Sequence, residues 1–262
     1  MNLRKVNKQM LRFIEVSHLF RKNIDYLAKV IIRIAGKKFI QESEAFATLF
    51  FGGKSSQREL VVLAERHSTD KDSLTHQSKF EWQTHSYCKF YDLIFASIKF
   101  KANNIFECGI GTTSPDFPSN MGVSGTPGAS LRMWRDYFVN ADIYGADIDP
   151  DVLFEEARIK TYHLDQTSKI SIETMWDQVG ALEFDVMIDD GLHTPLGGIT
   201  LLENSLHKLS RDGIYIIEDV SIRHFQTYEE RLNELPIVYD LIVLGRRSES
   251  SLDNNLIIIR KG

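Results

Sequence analysis

From residue 105 onward short apolar runs alternate with amphipathic stretches, and the runs at 105–109, 143–147, 160–164, 184–189, 213–218, 238–244 and 256–259 read as seven strands. The stretches between them, 129–138, 151–157, 170–179, 195–208 and 225–234, read as helices or turns. Strands that alternate with helices pack as a mostly parallel sheet covered on both faces. The last two runs are separated only by the polar tip 246–254, too little chain for a crossover helix, so they pair as an antiparallel hairpin. Upstream the period is helical. Leu11, Ile14, Leu19, Tyr26, Leu27, Val30, Ile31 and Ile34 fall near helical spacing up to Gly36. Further helical stretches follow at 41–51, 56–67 and 84–98, the last carrying Tyr87, Phe90, Tyr91 and Phe95, which read as core rather than as a dimer face. The expectation is an α/β chain: a helical extension over 1–62, then a domain over 63–262 built on a Rossmann-like, seven-stranded, mostly parallel sheet with a C-terminal antiparallel hairpin.

Composition agrees with a packed domain, since 43% of the 262 residues are hydrophobic and 26% charged. The two cysteines, Cys88 and Cys108, form neither a disulfide framework nor a four-thiolate zinc site, and a reducing, cytoplasmic setting is expected. Charge divides the chain. Residues 1–40 hold ten Lys or Arg against Glu15 and Asp25, a net of +8 in a chain of −5, which leaves −13 for the rest. So acidic a body argues against nucleic acid as a partner. The basic helices read as a solvated face, the alternatives being contact with a membrane surface, an anionic partner, the chain's own acidic body or a second copy. The apolar stretch 27–35 is broken by Lys29 and Arg33 and falls short of the ~20 residues of a spanning helix.

The chemistry lies at the strand ends. Phe106-Glu107-Cys108-Gly109-Ile110-Gly111 closes the first strand, and its glycines let the backbone turn sharply and approach a ligand, with the Glu107 carboxylate in the same crevice. Ser114-Pro115-Asp116 and Phe117-Pro118 follow where a nicotinamide-binding helix would have to open, which lowers that reading. Asp147, at the end of the second strand, is placed to accept two hydrogen bonds from a ribose diol, while Asp149 reads as the cap of a helix opening at Pro150. Asp165 and Gln166 follow the third strand, positioned for an adenine edge. Strands four and five end in Asp189-Asp190-Gly191-Leu192-His193 and Glu218-Asp219. Neighbouring strands lie about 4.8 Å apart, so Asp190, Glu218 and Asp219 would crowd one mouth. Such an all-oxygen set suits Mg²⁺ or Mn²⁺, with His193 in reach as a general base. The bland alternative is a solvated acidic loop, with Thr194 and Pro195 simply opening a helix.

Taken together, Glu107-x-Gly109-x-Gly111, Asp147, Asp165-Gln166, Asp189-Asp190-Gly191-x-His193 and Glu218-Asp219 resemble class I S-adenosylmethionine-dependent methyltransferases, and more narrowly the metal-dependent macrocin and mycinamicin type of sugar O-methyltransferase. Thr69-Asp70-Lys71, His85-x-Tyr87 and Gly128-Ala129-Ser130-Leu131-Arg132-x-Trp134 match the same family, while Thr113 and Leu192 depart from it. The resemblance covers about 63–262. It implies that Glu107, Gly109, Gly111, Ser130, Asp147, Asp165 and Gln166 serve the methyl donor, with Asp189 near its sulfonium and Lys71 near its carboxylate. It further implies that Asp190, Glu218 and Asp219 hold the cation and that His193 takes the acceptor's proton. The implied acceptor is a sugar hydroxyl, on a nucleotide-activated sugar or a capsular or natural-product glycan. A phosphoramidate or phenol acceptor, or a non-catalytic donor-binding subunit, is the alternative.

Overall fold

The computed structural model describes residues 58–74, 79–80, 82–244 and 253–262. The expected helices before residue 56 and most of the tip 246–254 lie outside the described residues. Eight strands form one sheet: β1 (Asn104–Cys108), β2 (Asp142–Asp147), β3 (Glu155–Glu156), β4 (Ile159–His163), β5 (Phe184–Asp189), β6 (Leu209–Ile217), β7 (Ile237–Val243) and β8 (Asn255–Lys261). Their order is β3-β4-β2-β1-β5-β6-β8-β7. The pairs among β4, β2, β1, β5 and β6 are parallel, and β8 enters antiparallel between β6 and β7.

The sheet has eight strands rather than seven, because residues expected as helix or turn, 151–157, divide into a 3₁₀ turn and the two-residue edge strand β3. β3 folds back on β4 through the left-handed Arg158 (φ 60°), pairing Glu155 with Lys160 and Glu156 with Ile159. Two acidic residues at an edge leave no apolar alternation to read. Asp149 caps the preceding turn, its carboxylate accepting from the Asp151 N–H at 3.0 Å with Pro150 in the first position.

Among the described residues six α-helices flank the sheet: α1 (Glu59–His67), α2 (Tyr87–Phe95), α3 (Ala129–Tyr137), α4 (Lys169–Val179), α5 (Pro195–Ser205) and α6 (Phe225–Leu232). Leu60, Val61, Leu63 and Ala64 of α1, Tyr87, Cys88, Tyr91 and Phe95 of α2, and Leu131, Met133 and Trp134 of α3 share one core cluster with Ile105, Ile143, Val186, Ile188 and Ile216. The aromatic face of α2 is therefore core. The expected start of the domain at residue 63 falls inside α1, and buried residues on both sides of that point belong to this cluster. Both cysteines are buried free thiols.

The register is what builds the site. Cys108 lies opposite Asp189, and Asp189 opposite Ile217, so β1, β5 and β6 end level with one another. The ladder continues one step beyond them, the Asp190 N–H donating to Cys108 O at 2.9 Å and the Glu218 N–H to Asp189 O at 2.9 Å. Gly109, Asp190 and Glu218 therefore stand side by side at the carboxyl edge of the sheet.

Candidate active site

Gly109 turns the chain away from β1 with φ at +85°, and a Cβ there would lie 2.0 Å from the Asp190 carbonyl oxygen. Only glycine fits a backbone pressed this closely against the next loop. Gly111 follows at φ +89°, with the Met121 sulfur where its Cβ would be. Asp147 holds this turn from β2. Its Oδ2 accepts from the Ile110 and Gly111 N–H groups at 2.9 and 3.2 Å, and its Oδ1 from the Asp149 N–H at 3.0 Å. Burial raises the Asp147 carboxyl, and these three backbone donors work against that rise.

Glu107 is wholly buried, and its Oε2 accepts from the Ser130 hydroxyl at 2.7 Å and the Trp134 indole N–H at 3.1 Å. Its Oε1 lies 3.0 Å from Lys71 Nζ. Lys71 comes from the loop after α1, and the same ammonium lies 2.7 Å from Asp190 Oδ2 and 2.6 Å from Glu218 Oε2. Burial works against the Lys71 charge, but Asp190, Glu218 and Glu107 outweigh it and hold the ammonium well above its usual range. Glu218 is raised by burial against the pull of Lys71, and its other oxygen accepts from the Tyr91 hydroxyl at 2.6 Å.

At the mouth, His193 stands between two acids, its Nε2 3.3 Å from Asp190 Oδ1 and its Nδ1 3.6 Å from Asp219 Oδ2. On its far side Asp219 accepts from the Tyr87 hydroxyl at 2.6 Å and lies 3.4 Å from His85 Nε2, whose ring stacks on Tyr87. Burial disfavours a charged His193, yet Asp219, Asp190 and Asp189 push it up to about 10. At neutral pH the imidazole therefore carries its proton. Burial raises Asp219, whereas Lys71 and His193 overcome burial at Asp190 and lower it.

One ligand atom from each of Asp190, His193 and Asp219 lies within 4.8 Å of the others, a group able to hold a cation. Two carboxylates and an imidazole suit a divalent ion. Of the three acids expected to share it, Asp190 and Asp219 face this point, while both oxygens of Glu218 are turned to Lys71 and Tyr91.

Two residues read from the sequence as adenine contacts are engaged within the protein. Gln166 is buried, its Nε2 donating to Asp189 Oδ1 at 3.1 Å and its Oε1 accepting from the Leu192 N–H at 2.6 Å. Asp165 Oδ1 accepts from the N–H and hydroxyl of Thr167. Asp189 is buried beneath this brace and pushed up to about 6 by that burial. Tyr87 and Tyr91, read from the sequence as core, with Tyr87 also in the motif His85-x-Tyr87, supply hydroxyls to Asp219 and Glu218. Their spacing of four puts both on one helix face, and that was the available signal.

No protein-family model matches the chain. It is 30% identical over 170 residues to an 8-demethyl-8-alpha-L-rhamnosyl tetracenomycin-C 2'-O-methyltransferase of Streptomyces olivaceus, covering 65% of this chain and 40% of that protein. It is 30% identical over 183 residues to the demethylmacrocin O-methyltransferase of Streptomyces fradiae, covering 70% and 41%, and 27% identical over 186 residues to the mycinamicin VI 2''-O-methyltransferase of Micromonospora griseorubida, covering 71% and 42%. The chain thus spans about two fifths of the length of these curated relatives. Among solved structures it shares its fold with the MycE methyltransferase of the mycinamycin biosynthetic pathway, in complex with Mg and SAH, at a TM-score of 0.57 and 24% identity over 78% of this chain and 55% of that one. The sheet has the fold of that structure, and the resemblance read from the motifs stands: the relatives of this chain are sugar O-methyltransferases.

Proposed function

We propose that the protein transfers the methyl group of S-adenosylmethionine to a hydroxyl of a sugar, with help from a divalent cation. The observation that carries this reading is the meeting of Asp190, His193 and Asp219 at the sheet's carboxyl edge, directly beside the Gly109 turn. In open α/β sheets ligands bind at that edge. The printed names of the relatives support a natural-product glycoside as acceptor; none of them supports a capsular glycan.

In this reading the Gly109–Gly111 turn, Asp147 and Asp189 would hold the donor, which would supply the electrophilic methyl group. Glu107 and Ser130 hold each other and shape the floor rather than reach the donor. Asp190 and Asp219 would hold Mg²⁺ or Mn²⁺, leaving the His193 imidazole between them as the base, and Glu218 would add its charge from behind Lys71. A bound cation would supply positive charge that acidifies the hydroxyl and offsets the hold these carboxylates have on the His193 proton. His193 then takes the hydroxyl proton as the oxygen attacks the methyl carbon. The C–O bond forms as the C–S bond breaks, and S-adenosylhomocysteine leaves. In-line placement of oxygen, methyl and sulfur supplies much of the rate.

The division into a helical extension over 1–62 and a methyltransferase domain over 63–262 belongs to the same reading, with α1 assigned whole to the domain because of its packing. So do a cytoplasmic location and self-association through the basic N-terminal helices. No helix among the described residues is long and apolar enough to cross a membrane. The test is incubation of the full chain with methyl-labelled S-adenosylmethionine and a panel of rhamnosides and other deoxysugar glycosides, in MgCl₂ or EDTA. Label entering the sugar in MgCl₂ and lost in EDTA is expected. Binding of NAD in place of S-adenosylmethionine in a calorimetric titration would overturn the reading.

A further inference from the structure

An ammonium has three N–H donors and no acceptor. Around Lys71 Nζ stand three carboxylate oxygens, from Glu107, Asp190 and Glu218, at 3.0, 2.7 and 2.6 Å, and the side chain is 1% exposed. Two of its N–H groups donate to Asp190 and Glu218, and Glu107 Oε1 is held by the charge without a hydrogen bond, so acids of this chain enclose the ammonium. The three acids follow one another across the sheet, at the ends of β1, β5 and β6. Each turns its second oxygen elsewhere: Glu107 to Ser130 and Trp134 on α3, Glu218 to Tyr91 on α2, and Asp190 to His193 at the mouth. One buried charge thus joins the strand that opens the glycine turn to Asp190 of the cation group.

Resting on the donor and cation subsites proposed above, we propose that Lys71 is a positioning residue that couples them. Its charge is shared. Whatever draws on Asp190 from the His193 side leaves more of the ammonium to Glu107 and Glu218, and Glu107 lies two residues before Gly109. A cation at the mouth therefore steadies the donor's turn through Lys71, and by linkage the donor favours the cation by the same factor. The family resemblance implies a place for Lys71 at the donor's carboxylate; here its effect on the donor passes through Glu107 and requires no contact.

Calorimetric titration of S-adenosylhomocysteine into the full-length protein, in MgCl₂ and then in EDTA, tests this. In the wild type, Mg²⁺ is expected to tighten binding by about fivefold or more, the lower end of ordinary coupling. In Lys71→Met that ratio is expected to fall to nearly one, even after allowance for weaker binding overall. Glu107→Gln cuts the link on the donor side alone, and should lose the ratio while Mg²⁺ still binds. It also serves should Lys71→Met fail to fold. A wild-type ratio of one, or a variant that folds and keeps the wild-type ratio, would overturn the coupling while leaving the methyltransferase reading intact. A wild type that binds no S-adenosylhomocysteine under either condition would overturn both.

Discussion

His193 and Asp219 face each other at 3.6 Å across the mouth of the sheet, and both hold a left-handed backbone, with φ at 57° and 53°. Four non-glycine residues take that conformation among the described residues, and these two come from different loops, after β5 and after β6. The conformation costs of order 1 kcal/mol or more per residue and gathers where function requires it. His193→Asn keeps a side chain that tolerates this backbone and removes the imidazole. We expect it to fold with an unchanged melting temperature to within a few degrees, to lose about 10²- to 10⁴-fold in turnover as a missing general base does, and to bind S-adenosylhomocysteine as the wild type does. Turnover near the wild-type value would remove His193 from the mechanism.

Gly109 and Gly122 separate two effects that a glycine substitution can have. Both have positive φ, +85° and +61°, but a Cβ at Gly109 would strike the Asp190 backbone whereas none of the heavy atoms lies within 4 Å of one at Gly122. Gly122→Ala should therefore cost only backbone strain, about 1 kcal/mol. Gly109→Ala must also push the Asp190 loop aside and should cost more than about 3 kcal/mol, with loss of donor binding. Urea melts of the two variants give the comparison, and equal costs would show that the β1 and β5 ends are not pressed together.

The strands and the acids at their tips were legible because each needs only local information: an apolar run of the right length, then glycine or a carboxylate. The hairpin of β7 and β8 followed from the shortness of its polar tip, and the Asp149 cap from the proline after it. Partners were not legible. Glu107, Gln166 and Lys71 are residues whose side chains could serve a ligand equally well, and what decides their employment is which distant side chain the register brings up to them. Lys71 meets acids from three strands more than thirty residues away from it, and no spacing in the chain announces that. β3 escaped for the opposite reason, since two glutamates at an edge carry no pattern at all.

Gln166 decides between the two kinds of employment. Read as an adenine contact, it would matter to the donor; in the structure it braces Asp189 and the Leu192 N–H, and a Cβ on Gly191 would meet its Oε1 at 1.9 Å. Gln166→Leu leaves the Leu192 N–H unpaired and should cost about 1–3 kcal/mol of stability. It should also slow turnover by loosening the segment that ends in His193, with S-adenosylhomocysteine affinity held to within about threefold. A large fall in affinity with stability unchanged would restore the adenine role.

Asp189 gives the pH dependence that can be worked out in sign. Burial pushes its carboxyl from 3.8 up to about 6, so between those values the folded protein holds a proton that the unfolded chain has released. Stability contributed here is present below about pH 4 and is lost as pH rises through 6, above which the buried charge is a fixed cost. The rise from 3.8 to about 6 corresponds to about 2–3 kcal/mol. Asp189→Asn has no such charge. It should melt several degrees above the wild type at pH 7.5, and the gap should close as pH is lowered toward 4.5, where the wild-type side chain is neutral as well. Melting curves of the two proteins over that range, in EDTA so that cation binding does not enter, provide the check. A gap that stays constant with pH would mean that Asp189 titrates like an exposed carboxyl and is not held under Gln166 and the Gly191 backbone as the structure places it.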